Sequence, residues 1–427
     1  MDNKQIYAAV EITDHEVRLI VGEFFNTRFN IIKVERVPVS GLSGNAVTDE
    51  TAVIEAVRKA AADAEKMIGA PVKKVILGLP SHNMKRYSLR STVKITGIDG
   101  TITVEDVREA MRKAEAIKID KNYALIQTVC VKYTVNGITS RRMPIGEKAY
   151  EMTVDIDLLC ADRKLSFDLV NCVEKAGLQV MDIYLDIFAV AMEAALFEQA
   201  VNQNVIVLKM ERENTTLGLI TKGKLNACMI EPLGVGTIAG AAVDVYGLKG
   251  DVATELVKYS VRLDERSASA NPVYIWAENG ETRKINEMEL YDCIRPQVDE
   301  WLSSIGELCG SILQAGPTAV IITGEGGEMQ GLDVELQRRL KCEVRNYIPE
   351  TLGGRNAGLT ACLGLFYAYK DKLPISGYVD SSLDMEAFLK AVSYREREKN
   401  GTEQEDTLTN KLRRVLLDGR KIGRAHV

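Results

Sequence analysis

The chain has 427 residues, 46% of them hydrophobic and 27% charged, an ordinary globular balance, and at about 150 residues per domain it predicts two or three domains. A net charge of -6 excludes a general nucleic-acid binder, which needs a basic face toward phosphate. Eight cysteines stand singly with no C-x-x-C pair; this excludes a zinc cluster or dithiol redox motif and fits a reducing cytoplasm.

The opening residues lead straight into a strand pattern, with no secretory leader. An apolar run at 6–10 predicts a buried strand, 11–16 a polar turn, 17–25 a second strand, and 29–37 a third after Asn26-Thr27-Arg28. Residues 51–68 carry Val53, Ile54, Val57, Ala60, Ala61 and Ala64 at helical spacing, and Gly69-Ala70-Pro71 stops the helix. A strand at 75–77 ends at Gly78.

The block 82–162 reads as an inserted subdomain: a strand at 87–95, a helix at 104–117, and strands at 123–135 and 151–159. Thr103 is placed to cap that helix, with Asp106 at its positive end. Val129, Val131, Tyr133 and Val135 show strand alternation. The apolar stretch 180–201 is interrupted by Asp182, Asp186 and Glu193, so it predicts a strand and a helix rather than a membrane span.

The first layout then returns. Strands at 205–208, 215–221 and 225–230 are joined by turns at 209–214 and 222–224. Helical stretches follow, and a strand at 319–322 ends at Thr323-Gly324. Such repetition is a duplication signal, and two facing copies would set both first turns at one cleft. Residues 393–407 are charged and almost free of apolar groups, predicting a disordered linker. Leu408, Leu412, Val415 and Leu416 then form one helical stripe flanked by Lys411, Arg413 and Arg414. That pattern predicts an interfacial membrane anchor.

Several of these segments carry a family likeness. Tyr7-Ala8-Ala9-Val10-Glu11-Ile12-Thr13 through Ile20-Val21-Gly22-Glu23 resembles the first phosphate loop of the bacterial cell-division family FtsA. Val37-Pro38 with Gly41-Leu42, Ala64-Glu65-Lys66-Met67-Ile68-Gly69, and Cys172-Val173-Glu174-Lys175-Ala176-Gly177-Leu178 are similar to it as well. The resemblance implies an α/β, actin-like (ribonuclease H-like) duplicated two-lobe fold with an inserted small α+β subdomain. Its division would be a first lobe at 1–81 and 163–203, the insert at 82–162, and a second lobe at 204–370 with an outer part about 245–305. A tail and linker would follow at 371–407, then the helix at 408–420. It further implies an ATP cleft, head-to-tail filaments of the chain with itself, a C-terminal lipid-binding helix, and a face for the FtsZ C-terminal peptide. The expected location is the inner face of the cell membrane at the division site.

The phosphate-binding turns depart from that pattern. Such turns wrap phosphates with backbone N–H groups, favour glycine, and open on an aspartate that holds the water shell of Mg²⁺. Here the first aspartate position is Glu11, in a glycine-free loop that includes Thr13. The second is Lys209, followed by Met210-Glu211-Arg212-Glu213 and then Asn214 and Thr215. An extra carboxylate about 4 Å from a phosphate costs up to ~4 kcal/mol at an effective dielectric near 20, roughly a thousandfold in affinity. Lysine cannot ligate Mg²⁺. The expectation is weak ATP binding, Mg²⁺ coordination left open, and no efficient hydrolysis. The base-binding side is better kept: Gly324, Glu325 and Gly326 match the adenosine motif, Glu255 and Lys258 a ribose- and base-touching pair, and Gly234 and Gly236 a turn near the phosphates.

Arg283, Lys284 and Arg295 lie where the family receives the acidic FtsZ tail. Three histidines are too few and scattered for a histidine metal site. Residues 422–427 read as a translated sequencing adapter, with the natural end expected to be lost after about Arg420. Two other readings stay open on the sequence: a PilM-like pilus-assembly homologue, and an active actin-type ATPase.

Overall fold

The computed structural model describes residues 4–25, 28–44, 46–266, 269–278, 280–377 and 381–391. The membrane stripe from Leu408 to Leu416, the charged linker at 393–407 and His426 lie outside them. Two five-stranded sheets share one topology. In the first, Lys4–Ile12 is central. It pairs antiparallel with Glu16–Phe25, which pairs with Arg28–Pro38; on its other side Lys74–Leu79 and then Gln179–Leu185 add in parallel. In the second, Asn204–Met210 is central, with Thr215–Thr221 and Lys224–Glu231 antiparallel on one side and Thr318–Thr323 and Glu343–Asn346 parallel on the other. The repeat read from the sequence is therefore a repeat of sheet order, and the fold is the actin-like two-lobe α/β architecture.

Both predicted turns are shorter than expected. Glu11 is still in register, opposite Arg18, and Lys209 is opposite Thr216. The chain reverses only over 13–15 and 211–214. Alternation decides this: a charged residue keeps its place in the ladder if its side chain meets a counter-charge.

Local chemistry fixes the helices. Asp49 accepts from the Ala52 amide at the start of Glu50–Ile68, and Gly69, at φ 82°, closes its end. The helix buries Val53, Val57, Ala60, Ala61 and Ala64, while Ile54 is only half-buried. Asn286 and Glu289 cap Glu287–Ala315 reciprocally, at 2.8 and 2.9 Å.

The insert is a four-stranded antiparallel sheet covered by the helix Val104–Glu115. Thr103 is its N-cap, as expected, with Asp106 in the first turn. Thr103 donates from both its amide and its hydroxyl to Asp106 Oδ2, each at 2.8 Å. The alternation expected over 129–135 is broken. Register shifts between Lys132 and Cys130, so a bulge at Val131 flips the strand. Tyr133, Val135 and Cys130 face the insert's own core, whereas Val129 packs on the lobe core.

The lobes meet at the helices Asp186–Glu193 and Thr360–Ser376, which pack so closely that a Cβ on Gly364 would meet the Ala189 carbonyl at 1.8 Å. One apolar core runs through this hinge, from Tyr7, Ala9 and Ile20 to Val205, Val207 and Ile220. The boundary expected at 370 falls inside the second helix. Beyond it the chain docks back on the first lobe: Ser382 Oγ accepts from the Ala8 amide at 2.8 Å, and Leu383 bridges to Val72. Among the described residues no helix is long and apolar enough to cross a membrane.

Candidate functional site

The two central strands end side by side at the cleft, and their terminal side chains touch. Lys209 Nζ lies 2.6 Å from Glu11 Oε1, 2.8 Å from Asp186 Oδ2 and 3.6 Å from Glu211 Oε1. Arg18 is fully buried. It gives Glu211 a two-pronged pair at 2.9 and 2.7 Å, meets Glu16 at 2.6 Å and reaches Glu11 at 3.4 Å. The planar guanidinium suits this fork. Arg36 clamps Glu16 from outside at 2.8 and 2.9 Å.

The cluster continues toward the glycine-rich turn. Glu325 is buried and takes Arg212 at 2.9 Å, Lys258 at 3.2 Å and His15 Nε2 at 3.2 Å. His15 Nδ1 is 2.7 Å from Asp14. Six carboxylates (Glu11, Asp14, Glu16, Asp186, Glu211, Glu325) thus face six cationic groups (Arg18, Arg36, Lys209, Arg212, Lys258, and His15 when protonated). At the rim, Asp14 accepts from the Glu213 amide at 2.7 Å, Ser43 donates to Glu213 at 2.9 Å, and His82 meets Thr216 at 3.1 Å.

Protonation follows the pairing. Burial pulls the Lys209 ammonium down, but Asp186, Glu11 and Glu211 outweigh it and hold its pKa well above the ordinary value. Burial would lift Asp186 and Glu211, but Lys209 and Arg18 respectively hold both below the ordinary carboxylate range. His15 is drawn down by burial and raised more by its bonds to Asp14 and Glu16, reaching about 9. It is therefore a cation at neutral pH.

The residues present do not fit a magnesium-nucleotide in this arrangement. The space left between the turns is about 30 Å³, room for a water molecule. The Gly234 turn does not offer its amides: Val235 N donates to the Glu211 carbonyl and Gly236 N to the Arg212 carbonyl, both at 2.9 Å. A Cβ at Gly326 would sit 2.2 Å from Met210 Sδ, so this glycine makes room for a side chain of the chain itself. The carboxylates that could hold a metal's water shell are ion-paired.

Some expected site residues come together here and some do not. Glu11, Lys209, Lys258, Gly324, Glu325 and Gly326 converge. Thr13 ties its own turn by donating to the Glu16 carbonyl at 3.0 Å, and the Asn214 carbonyl accepts from the Glu211 amide. Thr215 turns away, accepting from Trp301 Nε1 at 2.9 Å and donating to the Leu233 carbonyl. Glu255 is mostly exposed and pairs with Lys258 from outside. Arg283 and Lys284 lie on an exposed hairpin strand opposite Trp276 and Ile275. Arg295 is instead engaged with Asp299 at 2.7 Å and Glu335 at 2.8 Å.

Sequence reasoning missed Arg18, Arg36 and Asp186. The signal for Arg18 was a lone cation inside an apolar strand. Asp186 was visible only as a break in an apolar stretch, though it heads a helix and accepts from the Ser81 amide at 2.9 Å.

Residues 82–160 match the SHS2 domain inserted in FtsA. The chain is 26% identical over 371 residues to the cell division protein FtsA of Bacillus subtilis, covering 86% of this chain and 83% of that one. It is 21% identical over 366 residues to FtsA of Escherichia coli, covering 82% and 86%. Among solved structures, the type IV pilus biogenesis complex PilM–PilN aligns with a TM-score of 0.57 at 16% identity, covering 84% of this chain and 97% of that chain. That likeness concerns the fold.

Proposed function

We propose that this FtsA-like chain with an actin-like fold is a cell-division adaptor, linking FtsZ filaments to the cytoplasmic membrane and polymerising with copies of itself. The observation that carries the reading is similarity to FtsA over more than four-fifths of the chain, with the inserted SHS2 domain at its expected place. The acidic FtsZ tail is received by the hairpin strand carrying Arg283 and Lys284, of which Lys284 is opposite the exposed Ile275. Lipid contact comes from the stripe Leu408, Lys411, Leu412, Arg413, Arg414, Val415 and Leu416. The chain then works peripherally, at the inner membrane face of the division site. ATP is at most a weak ligand in this reading and Mg²⁺ has no assigned role.

The filled cleft disfavours an active actin-type ATPase, and a pilus-assembly role rests on fold likeness alone. The test is fluorescence anisotropy with a labelled FtsZ C-terminal peptide. Binding that falls about tenfold or more in Arg283→Glu/Lys284→Glu is the expected result, since two charge reversals at a rim each remove about 1 kcal/mol. No binding by the full chain would refute the adaptor reading.

A further inference from the structure

A cleft that closes on a nucleotide needs unpaired donors and space ready for phosphate. In this one the space between the turns is small. Its glycine-turn amides already serve the carbonyls of Glu211 and Arg212, and Met210 fills the hollow over Gly326. The cluster's charges instead complement each other across the lobe boundary. Arg18 of the first lobe holds Glu211 of the second, and Lys209 of the second holds Glu11 and Asp186 of the first. His15 reaches Glu325 in the same sense. Such pairs resist salt because they are buried. The burial exists only while the lobes are together, and separating them would break every one of these pairs.

We propose that this cluster is a built-in latch: the chain's own paired charges take the place of a magnesium-nucleotide and hold the two lobes closed without one. The closed conformation is then the resting state, independent of which partner the protein serves. Conformational change in this cleft is not driven by nucleotide exchange.

The test uses the full chain, with small-angle X-ray scattering and amide hydrogen exchange, in the absence and presence of millimolar Mg-ATP. The wild type is expected to show the same radius of gyration and the same protection over 204–216 in both conditions. Lys209→Met/Glu211→Gln keeps the net charge and removes the second lobe's central contribution. It should enlarge the radius of gyration and speed exchange in that segment at least about tenfold. A milder variant at the rim, Ser43→Ala, removes only the hydroxyl that donates to Glu213; it should speed exchange at 211–214 while leaving the urea midpoint of the whole chain unchanged. Contraction of the wild type on adding Mg-ATP would overturn the latch. So would wild-type exchange in either variant.

Discussion

Replacing Lys209 by Met leaves the volume nearly unchanged and strands three buried carboxylates. The ammonium stands 2.6 Å from Glu11, 2.8 Å from Asp186 and 3.6 Å from Glu211. At an effective dielectric near 20, each of the two close pairs is worth about 6 kcal/mol of gross attraction. Most of that is offset by the cost of desolvating lysine itself. Removing one partner of a buried pair typically leaves a net loss of about 3–5 kcal/mol, because the remaining charge stays buried and unpaired. Arg18 still holds Glu211 and touches Glu11, so Asp186 suffers most. Urea unfolding followed by fluorescence of Trp276 and Trp301 reads this loss. Two companion results are expected. The deficit should shrink as pH falls toward the carboxylate range, since protonating the stranded groups relieves them. Adding Asp186→Asn should restore at least about 1 kcal/mol, the scale of coupling between contacting residues. A deficit under about 1 kcal/mol with no pH dependence would show that the pairs do not hold the cleft.

His15 gives a pH dependence of opposite sign. Its pKa is raised from 6.5 to about 9, so its contribution is complete below pH 6.5 and is lost as pH rises through about 9. At 1.36 kcal/mol per pKa unit the ceiling is roughly 3 kcal/mol. The stability difference between wild type and His15→Gln should therefore narrow between these limits; a flat difference would contradict the assignment. Gly364→Ala drives a methyl into the Ala189 carbonyl at the hinge and should cost roughly 1–3 kcal/mol by thermal or urea unfolding. Trp301→Phe removes a buried indole's bond to Thr215 and should cost about 2 kcal/mol. With radiolabelled ATP and Mg²⁺ the wild type should give no turnover above blank, whereas robust hydrolysis would refute the reading of the cleft.

Much of the architecture was legible because it is written in period and punctuation. Apolar runs ending at Gly78 and Thr323-Gly324, and helix stops such as Gly69, marked both lobes. Less legible was anything set by a partner distant in sequence. Glu11 and Lys209 read as loop openers because a charged residue after an apolar run resembles a strand end. In the fold each continues its strand and is neutralised by the other, 198 positions away, which periodicity cannot reveal. Thr215 was assigned to the cleft from its place at the start of the strand after the second turn, yet strand alternation points it to Trp301 and leaves Thr216 beside His82. The bulge at Val131 defeated a simple two-residue pattern because one extra residue exchanges the faces of everything before it. Arg295 sits in the expected stretch of sequence, but its charge is engaged by Asp299 and Glu335.

The adaptor account meets its most direct test in flotation of FtsZ filaments with vesicles containing anionic lipid, with and without the full chain. It requires FtsZ to float only when the chain is present, and to stay behind when residues 408–420 are deleted or Arg283 and Lys284 are reversed to glutamate. FtsZ left in the dense fraction despite the intact chain would contradict it.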